Sequence, residues 1–432
     1  MKGTMDLRLT ALRLLLVALL VVAVLPGLRA EDAAATAPAK PKAEAKPNET
    51  PAAQESTESK ARLDIYGFAM LDMGYETGQS DPNWFDVARP TKLPSVPNEF
   101  GKDGHWFMGV RQSRLGFKGF IPTGLGEVKT IFEFELFGTG VDAGQTSFRL
   151  RHAWAELGQF GAGQFWSVFV DPDQFPNSIE YWGPNAIVWF RNVQFRWTPI
   201  SGDTTVAIAL ERPGASADQG VYRDRIELQG ITPRFPLPDL TAHILWTRKW
   251  GHVQLAGLVR RMMWDDTNGD KFDLSGKAFG WGLNLSGAYN IFDGALRGSV
   301  VVGEGVQNYM NDAPVDIGIQ NNFIDPVRPI IGVPLPLLGL TLFYDHKWDE
   351  SFTSTIGASY LDIKNSDGQA ADAFRRGYYA LVNVLYHPTP NCFLGPELQW
   401  IRRENFSDGF KVDDWKIQFS ARYDFKASVG GK

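Results

Sequence analysis

The chain has 432 residues, long enough for roughly two or three ordinary soluble domains or for one large barrel. Lys and Arg total 43 while Asp and Glu total 49, and the resulting formal net charge of -6 argues against nucleic acid as the main partner. Aromatic residues make up 13% of the chain, yet the mean hydropathy of -0.20 excludes a helical membrane protein and fits strands with one apolar and one wet face.

The N-terminal segment predicts a secretory signal peptide over residues 1–30. Basic residues precede an apolar run from Leu14 to Leu25, Pro26 ends the run, and Ala30 is a small residue suited to cleavage. The alternative is a transmembrane anchor, but the run has only about a dozen residues and a spanning helix needs about 20. No later apolar run reaches about 18 residues, so a mature protein that enters a membrane must do so as a closed barrel.

Residues 31–61 predict a disordered periplasmic linker. The segment consists mainly of Ala, Pro, Lys and Glu and has almost no large apolar side chain. Such a composition cannot bury enough apolar surface to offset the entropy that the chain loses on ordering. An arm that binds a partner or the cell wall is the alternative.

From Arg62 to Phe425 the apolar residues follow a period of two, most clearly in the last segment. One face carries Trp415, Ile417, Phe419, Ala421, Tyr423 and Phe425, and the other carries Asp414, Lys416, Gln418, Ser420, Arg422 and Asp424. A strand sorts these residues onto two faces, whereas a helix does not. The segment spans about 33 Å, or about 23 Å at a tilt of about 45°, close to the apolar band of about 25 Å in outer-membrane barrels.

The connections between these segments alternate between short and long. Short turns lie near 121–126, 158–161, 199–203, 250–252, 292–294, 347–350 and 388–391, and long segments lie near 76–104, 167–185, 212–238, 265–277, 305–337, 364–373 and 404–413. Short periplasmic turns opposite long outer loops are typical of outer-membrane barrels of about 16 strands. We therefore predict an all-β protein, a transmembrane antiparallel β-barrel over residues 62–425 with a C-terminal tail over 426–432.

No catalytic or metal-binding motif stands out. The sequence has no G-x-S-x-G, H-E-x-x-H or phosphate-binding glycine loop, and its six histidines lack the spacing of metal ligands on one strand face. Cys392 is the single cysteine, so no intrachain disulfide forms. We expect no enzymatic activity, no metal and no cofactor.

Arginines on the predicted inward face are the main candidates for pore-lining residues. A charge on the lipid face costs about 2–4 kcal/mol at mid-bilayer, so charged residues in the middle of a strand must point inward. Guanidinium groups bind carboxylates and would enrich anions in a narrow wet pore. The candidates are Arg114, Arg149, Arg151, Arg196, Arg260 and Arg297, together with Glu133 and Glu135. The alternative is that the arginines pair with Glu133, Glu135, Glu397 and Asp72 and only hold the wall in place.

The segment Ser167–Asn185 is the candidate for a constriction loop folded into the barrel. It follows the fifth predicted strand and carries Asp171, Asp173, Phe175, Glu180 and Tyr181. Carboxylates opposite a wall of arginines would create a transverse field, but an acidic loop also weakens an anion preference. An ordinary outer loop is the alternative.

These residues resemble those of the DcaP-like porins of Gram-negative bacteria over essentially Arg62–Phe425. The stretches that carry the resemblance are Ser113–Gly119, Arg149–Trp154, Gly163–Ser167 and Phe175–Pro184. The resemblance implies a homotrimer of sixteen-stranded barrels in the outer membrane, an inward third loop and passage of small anions such as dicarboxylates. It also places Arg114, Arg149, Arg151 and Arg196 on the pore wall, and Asp171 and Asp173 in the constriction loop.

The leading functional hypothesis is a porin for passive diffusion of small hydrophilic solutes with some preference for anions. The alternatives are a general or cation-preferring porin, a structural surface barrel without transport, and an outer-membrane hydrolase, for which no Ser/His pair can be assembled. A transporter with a globular plug is excluded because it needs about 22 strands. The alternation also puts Arg111 on the face of Leu115 and Phe117, at a subunit interface or membrane edge.

Overall fold

The computed structural model describes residues 60–431. The predicted signal peptide and almost all of the predicted linker therefore lie outside the described residues. Within residues 60–431 the regular structure consists of strands and short 3-10 helices. None of the helices in this range is long and apolar enough to span a bilayer.

Strands form nearly all of the regular structure. In chain order they are β1 (Arg62–Glu76), β2 (His105–Gly109), β3 (Arg114–Thr123), β4 (Gly126–Phe137), β5 (Thr146–Leu157), β6 (Phe160–Trp166), β7 (Arg191–Ile200), β8 (Thr204–Glu211), β9 (Ile231–Arg234), β10 (Asp239–Arg248), β11 (Gly251–Asp266), β12 (Gly276–Ile291), β13 (Gly294–Glu304), β14 (Ile317–Asn321), β15 (Ile330–Pro334), β16 (Pro336–Lys347), β17 (Phe352–Ile363), β18 (Phe374–Thr389), β19 (Cys392–Asn405) and β20 (Lys411–Gly430). The 3-10 helices are Pro82–Trp84, Pro90–Lys92, Gly140–Asp142, Pro172–Gln174, Gly220–Tyr222, Ile226–Leu228 and Gln307–Tyr309.

All of these strands except β2, β9, β14 and β15 form one closed antiparallel barrel of sixteen strands, as predicted. Neighbours along the chain pair with each other, and β1 closes the barrel on β20, with Arg62 opposite Gly430 and Glu76 opposite Lys416. β2 pairs with the second half of β1 while β3 pairs with the first half, so β2 and β3 act as one interrupted strand. β9 extends the wall in the same way along the end of β11, and β14 and β15 form a separate hairpin.

The two faces of the wall have opposite polarity, as the period of two predicts. On β20, Trp415 and Ile417 are exposed, whereas the intervening Lys416 and Gln418 are almost fully buried. Burial of the polar face and exposure of the apolar face is the reverse of a water-soluble sheet. It is the arrangement expected where lipid surrounds the wall and polar groups fill the interior.

Short turns join the strands at one end of the barrel and long loops join them at the other, as predicted. The loops that matter below are loop 1 (residues 77–113), loop 3 (167–190), loop 4 (212–238) and loop 6 (305–335). One long-end connection, residues 138–145, escaped the sequence prediction because it is brief.

The predicted C-terminal tail over 426–432 is wrong for most of its length, because β20 continues to Gly430. Lys426 to Gly430 pair with Tyr66 to Arg62 at the beginning of β1. The first strand offers unpaired backbone groups at this level, and the last strand extends to satisfy them.

The predicted position of Arg111 is also wrong. Arg111 lies in the break between β2 and β3, where the alternation of a continuous strand does not apply. Its guanidinium is buried, donates to Asp86 at 2.6 Å and to the carbonyl of Gly138 at 3.1 Å, and lies 3.9 Å from the centre of the Phe137 ring. Arg111 therefore fastens loop 1 to the inside of the wall.

Candidate pore constriction

Loop 3 crosses the interior of the barrel instead of lying outside its mouth. Along its length it contacts inward-facing side chains from most of the wall, beginning at β8 and β10 and ending at β4. These contacts join Asp171 to His252 (2.9 Å), Phe169 O to Asn284 (3.1 Å), Gln174 to Ser299 (3.0 Å), Asn177 N to Asp345 (3.1 Å), Asn177 O to Asn383 (2.8 Å), Ile179 O to Gln418 (3.2 Å), and Tyr181 to Glu135. A segment held in this way lies inside the barrel.

A single carboxylate on the wall, that of Glu397 in β19, holds the middle of loop 3. The side chain of Glu397 is almost fully buried. It accepts hydrogen bonds from Ser178 Oγ (3.0 Å), Ile179 N (3.0 Å), Glu180 N (3.3 Å), Asn383 Nδ2 (2.8 Å) and Gln399 Nε2 (2.8 Å). Backbone N–H groups that point at a buried carboxylate form strong hydrogen bonds and are costly to leave unpaired.

Facing loop 3, four arginines surround two glutamates on β3 to β7. The N–O distances are Arg114–Glu133 3.7 Å, Arg114–Glu135 3.5 Å, Arg149–Glu135 3.4 Å, Arg151–Glu133 2.6 Å, Arg151–Glu135 2.5 Å and Arg191–Glu135 4.0 Å. We call these six residues the arginine cluster. Four positive and two negative groups give the arginine cluster a formal net charge of +2.

The register of the wall builds this cluster. Arg114 of β3 lies directly opposite Glu135 of β4, and Glu135 in turn lies opposite Arg149 of β5. An irregularity in the pairing of β4 with β5 begins between Glu133 and Phe134. Cross-strand neighbours of opposite charge stabilise one another, so the two glutamates hold the guanidinium groups in place.

Tyr181 connects loop 3 to the arginine cluster. Its ring stacks on Phe137, with centroids 3.9 Å apart and an angle of 6° between the planes. Its hydroxyl donates to Glu135 and accepts from Arg149 at 3.2 Å. Burial and the neighbouring Glu135 carboxylate raise the pKa of the Tyr181 hydroxyl, so it remains a proton donor. The loop therefore adds no negative charge at this contact.

A cavity of about 630 Å³ lies between loop 3 and this wall. Its lining combines basic side chains of the wall with aromatic side chains of loop 3 and of the wall strands β1 and β6. The basic residues are Arg114, Arg149, Arg151, Arg191 and Arg422, and the aromatic residues are Phe68, Trp166, Phe175, Tyr181, Trp182, Trp189 and Phe190. The one carboxylate among the lining residues belongs to Glu180.

The other predicted arginines do not join this group. Arg196 lies lower on β7, donates to Gln194 and to the carbonyl of Trp166, and stacks near Trp154. Arg297 pairs with Asp345 at 2.6 Å and donates to the backbone of loop 3 at Asp173. Both remain partly exposed on the inner wall.

The prediction that Arg260 lines an open pore is wrong. Arg260 does point inward, but loops 4 and 6 enclose its side chain completely. It pairs with Asp239 at 3.3 Å and with Asp316 at 3.2 Å. Two buried carboxylates around a buried guanidinium make Arg260 a support for the loops above it.

The acidic residues of loop 3 do not face the arginine cluster as the sequence suggests. Asp171 is buried against His252, on the wall opposite the arginine cluster. The exposed Asp173 lies beside Arg297, on the same wall as His252. Phe175 lines the cavity. Glu180 lies at the cavity, but its carboxylate accepts from the backbone N–H groups of Ala88 and Gly183.

Replacing Glu180 with glutamine is expected to remove a pH dependence of stability. Burial raises the pKa of the Glu180 carboxyl to about 7, although the backbone N–H groups of Ala88 and Gly183 oppose the shift. With a raised pKa, its contribution to stability is complete below the unfolded value of about 4.5 and is lost as the pH rises through about 7. Thermal unfolding from pH 5 to 8 should show the wild type losing about 3 kcal/mol relative to Glu180→Gln. A constant difference between the two proteins would contradict this.

Two lining arginines escaped the sequence prediction. Arg191 is the first residue of β7 and alternates with the same face as the exposed Val193 and Phe195, which predicts an outward side chain. It turns inward because the regular alternation of the strand has not yet begun at this residue. Arg422 lies on the inward face of β20, stacks 3.8 Å from the Phe68 ring and pairs with Asp424 at 2.5 Å. The alternation alone could have identified Arg422.

Comparison with known proteins points to one family of channels. A family profile described as DcaP outer membrane protein matches residues 45–425. Among solved structures, the outer membrane channel DcaP of Acinetobacter baumannii superposes with a TM-score of 0.70 at 20% identity, covering 84% of this chain and 97% of that chain.

More distant structures share the fold. The anion-selective porin of Comamonas acidovorans has a TM-score of 0.54 at 11% identity, covering 84% of this chain and all (100%) of that chain. OmpT of Vibrio cholerae, in its outer-membrane expressed form, has a TM-score of 0.51 at 13% identity, covering 84% and 98%. No curated protein sequence matches this chain significantly.

Proposed function

The chain belongs to the DcaP outer membrane protein family and is an outer-membrane porin, and from this premise we propose that it passes small hydrophilic solutes by passive diffusion with a preference for small anions such as dicarboxylates. In this proposal loop 3 forms the constriction, and solutes cross the cavity between loop 3 and the arginine cluster.

The observation that carries the proposal is the charge of that cavity. The arginine cluster has a formal net charge of +2, and Arg422 adds a further guanidinium to the lining. Of the loop acids that would oppose anions, Asp171 is buried against His252 and Glu180 accepts from backbone N–H groups. Guanidinium groups bind carboxylates with two parallel hydrogen bonds, so arginines on adjacent strands suit a solute with a carboxylate at each end.

The reversal potential of the purified protein in a planar bilayer under a KCl gradient tests the proposal. We expect a reversal potential of the sign that marks preference for chloride over potassium. We also expect small dicarboxylates to reduce the chloride current as they occupy the arginine cluster. Preference for potassium would contradict the assigned selectivity, and an absence of conductance would contradict transport through this barrel.

We also propose that the protein is exported by cleavage of residues 1–30, is a homotrimer in the outer membrane and catalyses no reaction. Export rests on the basic and apolar pattern of the N-terminus, and the trimer rests on resemblance within the family. The masses of the mature chain and of the complex extracted from membranes test the two assignments. A mature chain that retains residues 1–30, or a monomeric complex, would contradict them.

A further inference from the structure

A second cavity, of about 460 Å³, lies at the long-loop end of the barrel, away from the arginine cluster. It opens between loop 4, the β14–β15 hairpin of loop 6 and the upper end of β11. We call it the loop 4/6 pocket. Its apolar lining residues are Ala215, Ala217, Leu228, Ile231, Pro233, Phe235, Met262, Met263, Trp264, Leu274, Ile317, Ile319, Ile330 and Ile331.

The loop 4/6 pocket separates two packed apolar clusters. One cluster is built around Leu228, Leu274 and Ile319, and the other is built around Met262 and Ile317. Protein interiors are close-packed and rarely leave gaps larger than a water molecule. A dry apolar cavity of about 150 Å³ can bind benzene, and ligand pockets usually measure about 300–1,000 Å³. The gap therefore has the size and lining of a site for an apolar group.

The pocket lies above the part of the wall that faces lipid. On the outer face of β11, Val259 is followed by the exposed Arg261 and then by Met263, which lines the pocket. The exposed Lys277 of β12 and the surface ion pair of Arg234 with Asp265 follow at the same level as the pocket. A row of charges on the outer wall marks the end of the apolar band. We therefore expect a ligand of the pocket to arrive from water, not as the acyl chain of a membrane lipid.

A free positive charge stands at the mouth of the pocket. Arg223 of loop 4 is exposed among the lining residues, and within residues 60–431 no carboxylate lies within 4.0 Å of its guanidinium. Asp218 also lines the pocket, but its two oxygens accept from Gly220 N at 2.8 Å and from Gln369 Nε2 at 3.0 Å. Because both oxygens of Asp218 already have partners, Arg223 is the lining group that remains available to pair with an anionic head group.

We propose that the loop 4/6 pocket binds a free aliphatic carboxylate, with the alkyl chain between loops 4 and 6 and the carboxylate on Arg223. Burial of the chain supplies most of the affinity, because removal of methylene groups from water is favourable. The exposed ion pair contributes orientation and a smaller share. This site is separate from the solute path and does not depend on the assigned selectivity of the pore.

Photolabelling of the full-length protein in lipid nanodiscs tests the site. Nanodiscs avoid detergent, which would compete for an apolar pocket. The probe is decanoate with a diazirine near its methyl end, and labelled peptides are mapped by mass spectrometry. We expect adducts within 262–264, 317–319 or 330–332 that an excess of unlabelled decanoate suppresses. Adducts confined to lipid-facing strand residues would overturn the proposal.

Three variants test the roles of Arg223 and of the mouth of the pocket in labelling. Arg223→Gln should weaken labelling by decanoate about threefold, the effect of one exposed ion pair, and should leave labelling by the decanol analogue unchanged. Arg225→Gln is the matched control, because Arg225 lies two residues away and pairs with Glu227. Ala217→Trp, at an exposed lining residue, should block the mouth without disturbing the fold. Saturable labelling that survives both Arg223→Gln and Ala217→Trp would contradict the assignment.

Discussion

Replacing both Arg149 and Arg151 with alanine is expected to remove most of the anion preference that we propose for the channel. The arginine cluster of the wild type has four guanidinium groups and two carboxylates, a formal net charge of +2. The double variant retains Arg114 and Arg191 with Glu133 and Glu135, so its net charge is zero. The reversal potential under a KCl gradient should therefore move toward zero.

The expected size of the effect follows from Coulomb's law. At about 6 Å in water, one unit charge changes the free energy of a monovalent ion by about 0.7 kcal/mol, or about threefold in its local concentration. Two lost charges then lower the local concentration of chloride about tenfold and raise that of potassium by the same factor. The effect should shrink at high ionic strength, because salt screens these charges.

Two controls separate charge from packing. Arg149→Lys/Arg151→Lys retains both charges and should keep the sign of the wild-type reversal potential, although lysine cannot reproduce the paired hydrogen bonds to Glu133 and Glu135. Arg261→Ala removes an exposed arginine from the outer face of β11 and should change nothing. An unchanged reversal potential in the double alanine variant would show that the arginine cluster does not control selectivity.

The barrel could be predicted from the sequence because lipid imposes one rule on every strand. A residue on the lipid face must be apolar, so the period of two reveals both the strands and their faces. Trp415 and Lys416 illustrate this, because the structure exposes the first and buries the second. The alternating lengths of the connections then gave the sixteen strands and the two different ends.

The rule fails wherever the chain leaves the regular wall. Arg111 falls in the break between two strands, and Arg260 is covered by loops whose path no local pattern reveals. The orientation of Asp171 depends on His252, which lies 81 residues further along the chain. Contacts of this kind arise from tertiary packing between distant segments, which a period cannot encode.

The contacts of Glu397, a residue of the wall, also could not be predicted from the period of two. The alternation places Glu397 on the inward face, and its pairing with an arginine was one of the predicted alternatives. The structure supports that alternative for Glu133 and Glu135 but not for Glu397 or Asp72, which bind the loop and neighbouring side chains instead. The position of loop 3 thus depends on a carboxylate whose sequence neighbourhood contains no sign of the loop.

Glu397→Ala is therefore expected to release loop 3 and to give a larger and noisier single-channel conductance. The substitution leaves the N–H groups of Ile179 and Glu180 and the hydroxyl of Ser178 without their acceptor. Hydrogen bonds to a charged acceptor contribute about 1.5–3 kcal/mol each, so the loop should lose at least about 3 kcal/mol of its attachment. Loop 3 should then be cleaved by protease in the folded barrel, whereas the wild-type loop should resist.

Glu404→Gln provides the matched control for this experiment. Glu404 lies on the same strand and pairs with Arg376, Arg402 and Lys411 near the mouth, without contact to loop 3. Its variant should keep the wild-type conductance and protease resistance. If Glu397→Ala also keeps both, the remaining contacts of loop 3, such as that of Asp171 with His252, suffice to hold the constriction. An increase in conductance without a change in ion preference would show that loop 3 determines the width of the pore while the arginine cluster determines its charge.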